Sequence, residues 1–560
     1  MGRNQTSLSS TINWKRIAIW TVAVLCFIIS LLIIGGFILQ SKLPDQLKAI
    51  VNQETEGVYQ LDFDEMDVSL LNGSIQLQNV RLIPDTVAYL KTDSSKRSTN
   101  LFKIKASSLD ISGLRVIKLI LNKTVQLSTL TLNKPDFIVM KMNDTIKVDS
   151  TKTLYEQVPK ILRGAKVDLL RINDLSYMQQ IKRDTIENGV RWSGLNLAFE
   201  SISIDSLQQQ GSTIFLFSKN MRVQSADMKF ASSDGMYKFE VGEFRLSTKD
   251  QMIDVKGFKV IPQYPELEFT RRMAEPGDRY DFVFSKIAAR KVNFSQLEKE
   301  GNLGVSNLTF ENAELRVFNN KALQGRSIDK TRNFPHIAIR KLDLPLKIDT
   351  MFIKNFDIYY KELNPNSNKS GTAFFTNVYG TLHNITNDSL QLKKDSWCRT
   401  SFQANFLGKA KLLVDINMNI SDKDGEFNYK GSLGRGDNRV YNKLLEPIAM
   451  VKIEDGTIRK ITFDVNANRY GSTANVLMLY DNLKVSVLGK DGKVLKKKGL
   501  LSFLANSFLV KNSNPRKEGE APIVANISHL HPQHKSFFNL MWKSIFTGLK
   551  VNLGIPDIKK

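Results

Sequence analysis

The sequence predicts a mainly β protein carried by one N-terminal transmembrane helix, and three observations lead there. Apolar and polar residues alternate along most of the chain. One segment alone is long and apolar enough to cross a bilayer. A shift of 178 positions lays residues 61–208 over 239–391 with only small drifts.

The membrane segment is 17–39, which as a helix would span about 35 Å, enough for a hydrocarbon core of about 30 Å. Arg3, Lys15 and Arg16 precede it without an acidic residue, whereas Lys42, Asp45 and Lys48 follow as a near-balanced mixture. That asymmetry keeps residues 1–16 in the cytoplasm and sends the rest across. The stretch is longer than the apolar region of a cleaved signal, and Gly35 to Gln40 is a poor cleavage site, so an uncleaved anchor is expected. A juxtamembrane segment, 40–60, follows with a short helix around Pro44 to Asn52.

Beyond it the period is that of strands with one buried face. Ile75/Leu77, Leu130/Leu132, Leu195/Leu197/Phe199, Ile202/Ile204, Leu308/Phe310, Val414/Ile416/Met418 and Ile461/Phe463/Val465 all follow it. Under the shift, Glu65 meets Glu243, Ser69 meets Ser247, Ile83-Pro84 meets Ile261-Pro262, and Ser107 meets Ser285. Chance agreement between alternating strands does not require those identical polar residues or the shared proline. A tandem duplication is therefore expected, with copy one at 61–208, a connector at 209–238, and copy two at 239–391. A C-terminal β region at 392–510 and a polar linker at 511–535 complete the chain, before an amphipathic helix and tail at 536–560.

On a helical wheel that last segment gathers Asn539, Lys543, Thr547 and Lys550 into one stripe, while Phe537, Phe538, Leu540, Met541, Trp542, Ile545, Phe546 and Leu549 cover most of the rest. Fifteen residues reach only about 22 Å, too short to span a bilayer. The apolar side must cap the protein or lie in a membrane interface.

Composition narrows the function. Of 560 residues, 42% are apolar and 24% charged, which describes a folded chain. The formal charge of +23 is dispersed rather than clustered, which speaks for anionic lipid or a solvated lysine surface and against nucleic acid. With Cys26 inside the anchor, Cys398 has no partner, so no disulfide framework exists and a bacterial envelope fits better than an animal ectodomain.

No phosphate loop, nucleophile elbow, H-E-x-x-H helix or paired C-x-x-C occurs. His529, His531 and His534 could hold zinc, but Pro532 and the absence of a nearby carboxylate or thiolate favour a loop. Ser327 and Lys330 have S-x-x-K spacing outside any penicillin-binding context, and Arg435-Gly-Asp437 reads as a charged turn. The expectation is a non-enzyme without cofactor or metal.

Three stretches carry a family likeness: Val68-Ser-Leu-Leu-Asn-Gly-Ser-Ile-Gln-Leu-Gln-Asn-Val-Arg-Leu82, Leu109-Asp-Ile-Ser-Gly-Leu-Arg-Val-Ile-Lys-Leu-Ile-Leu121, and Val125-Gln-Leu-Ser-Thr-Leu-Thr-Leu-Asn-Lys-Pro-Asp-Phe-Ile-Val139. Behind an uncleaved anchor, they resemble the amino-terminal region of AsmA-like proteins of the Gram-negative envelope, relatives of TamB and YhdP. Ile453-Glu-Asp-Gly-Thr-Ile-Arg-Lys-Ile-Thr-Phe463 and Tyr480-Asp-Asn-Leu-Lys-Val485 resemble the closing region of such proteins.

The resemblance implies a repeating β-groove: a long curled antiparallel sheet, apolar inside, along which phospholipid acyl chains slide between inner and outer membranes. Leu130, Leu132, Leu195, Leu197, Phe199, Ile202, Ile204, Leu308 and Phe310 are its expected lining. The function expected is an inner-membrane-anchored, periplasmic lipid-transfer conduit serving envelope integrity. Its partners would be phospholipid or another anionic lipid, the inner membrane, and inner- or outer-membrane proteins. The alternative is a non-enzymatic scaffold or outer-membrane assembly factor with closed β-sandwich modules, since alternation does not tell what covers an apolar face. A membrane-anchored hydrolase using the histidine cluster is a third reading.

Overall fold

The computed structural model describes residues 43–69, 72–92, 100–115, 118, 124–142, 164–181, 191–205, 218–232, 234–275, 277–323, 329–436, 438–488 and 512–554. The expected anchor at 17–39 lies outside them, as does the apolar run at 500–509. No described helix is long and apolar enough to cross a membrane. The chain divides into two compact units, one formed by 1–233 with 243–251 and the other by 234–242 with 252–560.

In the first unit, helix α1 (Leu43–Glu54) occupies the expected juxtamembrane position. Strands β1 (Tyr59–Asp62) and β2 (Glu65–Ser69) both pair antiparallel with β3 (Ser74–Pro84). After the one-and-a-half-turn helix α2 (Thr86–Lys91), β4 (Asn100–Ser112) pairs with β3 on one side. On its other side lie β5 (Thr124–Asn133) and β6 (Asp136–Lys141), two halves of one line broken at Lys134-Pro135. Strand β7 (Gly164–Ile181) then runs parallel to β5 and β6, and β8 (Arg191–Asp205) and β9 (Asn220–Ala231) follow antiparallel.

The second unit repeats this plan. The division runs through β10 (Tyr237–Ser247), whose sequence matches β1 and β2 together; β11 (Met252–Pro262) stands where β3 does. Helix α3 (Glu266–Arg272), β12 (Asp278–Asn293), helix α4 (Phe294–Glu300) and β13 (Leu303–Asn320) lead to β14 (Leu346–Asn364), which again runs parallel to its predecessor.

The registers coincide pair for pair. Leu77 faces Leu109 as Val255 faces Ile287, and Ser108 faces Asn133 as Lys286 faces Glu311. Even one long-range hydrogen bond repeats: the Phe102 N–H donates to the Tyr59 hydroxyl, and the Tyr280 N–H to the Tyr237 hydroxyl, each at 3.2 Å.

The expected antiparallel sheet is thus a mixed one. Parallel neighbours need a crossover of a dozen residues or more. In the second unit residues 321–345 provide it, with a 3-10 turn (Lys330–Asn333) and helix α5 (Pro335–Arg340), whose Pro335 opens the first turn where no N–H is needed.

Each unit also carries residues of positive φ at matching positions, and the strand register shifts only beside the last of them, Asp174 and Asn355. Asn79, Lys134 and Asp174 have positive φ in the first; Gly257, Asn312 and Asn355 do so in the second. Short polar residues and glycine tolerate that geometry, and bulges bend and twist the strands that hold them. The Asn355 side-chain amide donates to Asn312 Oδ1 at 2.7 Å, tying the two positions together across the parallel pair.

From β14 the second unit continues antiparallel through β15 (Lys369–Thr386), helix α6 (Ser389–Lys394), β16 (Trp397–Phe406), β17 (Ala410–Asn419) and β18 (Phe427–Leu433). Helix α7 (Asn438–Ala449) precedes β19 (Val451–Asn468), β20 (Gly471–Val487) and β21 (Val524–Leu530). The region from 392 therefore extends copy two directly. The expected connector and linker hold strands β9 and β21. Within the linker stretch, buried Asn514 fixes the chain by donating to Met478 O at 2.8 Å and accepting from Ile523 N at 2.7 Å.

Candidate functional site

The shared register makes it possible to compare one row of side chains in the two units. In the first it reads Leu77, Leu109, Leu132, Ile172, Leu197, Val223 across β3 to β9. In the second it reads Val255, Ile287, Phe310, Ile353, Gly380, Phe402 across β11 to β16. Both rows are free of polar side chains, yet their burial differs. Leu77 is 0%, Leu109 1% and Ile172 1% exposed, within a closed core that also takes in Leu47 and Val51 of α1. Every member of the second row is half-buried.

That open row lies within a broad apolar face. Phe284 sits 5.5 Å from Phe310 and 5.9 Å from Phe356 between ring centroids, Phe258 lies 6.1 Å from Phe284, and Phe375 lies 5.2 Å from Phe406. Leu315, Ile358 and Tyr360 continue it, all half-buried. What sets this surface apart is that its apolar residues stay half-buried where the equivalent positions of the first unit are mostly enclosed. On the opposite face the partners are ionic: Glu311 meets Lys286 at 3.0 Å and Lys354 at 3.5 Å.

The same row runs on through Val414 and Gly431, still half-buried, to Phe463 and Val476, where it is buried. The cover is helix α8 (Phe537–Asn552), capped by Ser536, whose hydroxyl accepts from Asn539 N. The helix docks by its small and polar side. Leu540, Ser544, Gly548 and Asn552, four residues apart, all face the sheet.

Ser544 bonds Ser472 at 2.6 Å, and a Cβ at Gly548 would stand 2.5 Å from Val476 Cβ. The Asn552 amide donates to Val476 O at 3.0 Å while its Oδ1 accepts from Met478 N at 3.2 Å and Asn514 Nδ2 at 3.1 Å. The Tyr429 and Tyr480 hydroxyls donate to Met541 O and Asn552 O.

The expected orientation of this helix is therefore corrected: Thr547, assigned to the wet stripe, is buried, and Phe538 is 73% exposed. Of the other expected contacts, Phe537 is buried against Phe427 and Phe334, Trp542 is 39% exposed, and Met541, Ile545 and Leu549 are half-buried. Size misled the sequence reading, because the polar groups that dock are fully hydrogen-bonded and so cost little to bury. The four-residue spacing of Ser544, Gly548 and Asn552 was the signal available.

The expected groove lining divides in the same way. Leu130, Leu132, Leu195, Phe199 and Ile202 are buried in the first unit, and Leu197 packs half-buried against that core. Leu308 and Phe310 stand half-buried on the open face. The side chain of Ile204 lies outside the described residues.

Chemistry is sparse. Among the described residues no three potential metal ligands converge. His531 is buried, with Nε2 3.2 Å from Lys535 O. Burial raises the Cys398 thiol to about 12, leaving it protonated and inert.

His336 of α5 is enclosed by Phe334, Phe427 and Phe537, and burial pushes its pKa below the usual 6.5, with the Gly425 backbone opposing. The unfolded ring takes up its proton first, so the stability that neutral His336 gives is complete above about 6.5 and is lost as pH falls toward the lower folded value. Thermal scans across that window should show the melting temperature dropping in the wild type and dropping less in His336→Phe. Equal slopes would remove His336 as the cause.

In comparisons with known proteins, no family model matches the chain and no curated protein matches it.

Proposed function

We propose that this chain is an AsmA-like lipid-transfer conduit, anchored in the bacterial inner membrane by 17–39 with its bulk in the periplasm, moving phospholipid between inner and outer membranes. The observation behind this reading is the open apolar face of β11 to β17. An apolar face that the fold leaves half-uncovered suits acyl chains, which need apolar contact along their length and no specific hydrogen bond. The half-buried aromatic rings provide that contact, and the ionic opposite face keeps the sheet in water.

The second reading, a non-enzymatic scaffold with closed β modules, draws on the closed core of the first unit. Photo-crosslinking separates the two. A photoreactive residue at Phe310 or Ile353 should capture lipid in cells, and one at Glu311 or Lys354, on the other side of the same strands, should not. Equal capture at all four sites, or none at any, would favour the scaffold.

A further inference from the structure

Beyond Ile358 and Tyr360, the same side of β14 ends in Glu362, only 7% exposed. Its carboxylate is already taken, by the Lys321 ammonium at 2.5 Å and the Tyr360 hydroxyl at 3.3 Å. Three further lysines gather at this end. The Lys330 N–H donates to Gln533 O at 2.8 Å, binding the 3-10 turn to the segment that enters α8. Lys535 belongs to that segment. Lys543 projects from α8 with its Nζ 5.4 Å from the centre of the Phe546 ring.

Neither Lys535 nor Lys543 has a carboxylate within ion-pair distance among the described residues. Both ammonium groups are held below the ordinary lysine value, first by burial and then by like charge. Lys321 and Lys330 act on Lys535, Lys321 and Lys550 act on Lys543, and Glu362 opposes in both cases. One carboxylate, already paired, faces at least four ammonium groups, those of Lys330 and Lys535 on half-buried side chains and those of Lys321 and Lys543 on exposed ones, and like charges so gathered repel until an anion joins them.

The cluster adjoins the apolar surface on both sides: Ile358 and Tyr360 lead to it along β14, and Phe546 and Trp542 stack at 5.6 Å beside it on α8. Several lysines as mobile point charges suit a phosphate, and apolar walls beside them suit the chains attached to it. We infer that Lys321, Lys330, Lys535 and Lys543 form a phosphate site that holds the headgroup of an anionic phospholipid, with its acyl chains on the open face. This rests on the conduit reading and adds to it a headgroup preference and a place where that preference is exerted.

The test equilibrates the detergent-released full-length protein with phosphatidylcholine vesicles, with and without phosphatidylglycerol, and measures by mass spectrometry the lipid retained on the re-isolated protein. The wild type should prefer phosphatidylglycerol on the order of tenfold, as one or two lysines at a phosphate would provide. The Lys535→Gln/Lys543→Gln double variant should retain as much lipid in total, which shows that it is folded, but without preference. Lys535→Arg/Lys543→Arg should restore the preference.

Lipid retained by the wild type without headgroup preference overturns the site and leaves the conduit standing. Retention of neither lipid overturns the conduit. Inorganic phosphate distinguishes the two sources of the anion: failure to compete supports a lipid headgroup, and erasing the preference at concentrations comparable to the lipid's identifies a free-anion site and overturns the lipid assignment.

Discussion

Leu132→Asp should unfold the first unit, whereas Phe310→Asp, at the same position in the register of the second, should leave the protein folded and empty of lipid. Leu132 pairs with Leu109 and Ile172 inside the closed core and is 5% exposed. A carboxylate there has no partner, and an unpaired buried charge together with the lost packing costs about 3–5 kcal/mol, a large share of a domain's net stability. Phe310 pairs with Ile287 and Ile353 on the open face and is half-buried, so a carboxylate can reach water. Its cost to folding is the loss of part of one ring's burial, about 1 kcal/mol. An ion in the path of acyl chains, by contrast, must be desolvated for lipid to stay. Limited proteolysis and lipid extraction read the two effects separately. Equal unfolding of both variants would mean that the second face is as closed as the first.

Asn552→Leu should release α8 from the sheet, and Phe538→Ser should not. The substituted residues run against intuition, since the phenylalanine is the larger apolar group and the asparagine the polar one. Asn552 supplies bonds to Val476 O, Met478 N and Asn514 Nδ2 in a buried setting, and a leucine would take that partner from Val476 O and Met478 N, while Asn514 Nδ2 keeps Met478 O and Ile523 O. At about 1–3 kcal/mol for each unsatisfied buried group, several kcal/mol are at stake.

Gly548→Ala adds a test of sign. Alanine favours an isolated helix by about 1 kcal/mol over glycine. Here its Cβ would press on Val476, with overpacking worth about 1–3 kcal/mol, so a net loss is expected. Thermal melting and protease cleavage near 536 measure both variants. Stabilisation by Gly548→Ala would show that the helix does not dock as closely as described.

Much of the fold could be read from the chain, and the reasons mark where reading stopped. Alternation located most strands, and Ile83-Pro84 with Ile261-Pro262 set the shift under which the strand registers coincide. The parallel pairs β5/β7 and β13/β14 were missed because alternation is the same in either direction; the long connection at 321–345 was the physical hint. The contrast between Leu132 and Phe310 could not be read at all. Both are apolar residues on alternating strands, and what covers a face depends on residues far away in sequence, such as those of α1 and α8. On α8 itself, helical amphipathicity was read by side-chain size, while docking was decided by close approach at Gly548 and saturated hydrogen bonds at Ser544 and Asn552.

A native mass spectrum of the full-length protein, released from membranes in a mild detergent, tests the central claim most directly. The open face of the second unit predicts phospholipid bound to the wild type, retained by Phe538→Ser and lost from Phe310→Asp while that variant stays folded. Folded wild-type protein without phospholipid, or Phe310→Asp carrying as much lipid as the wild type, would contradict it.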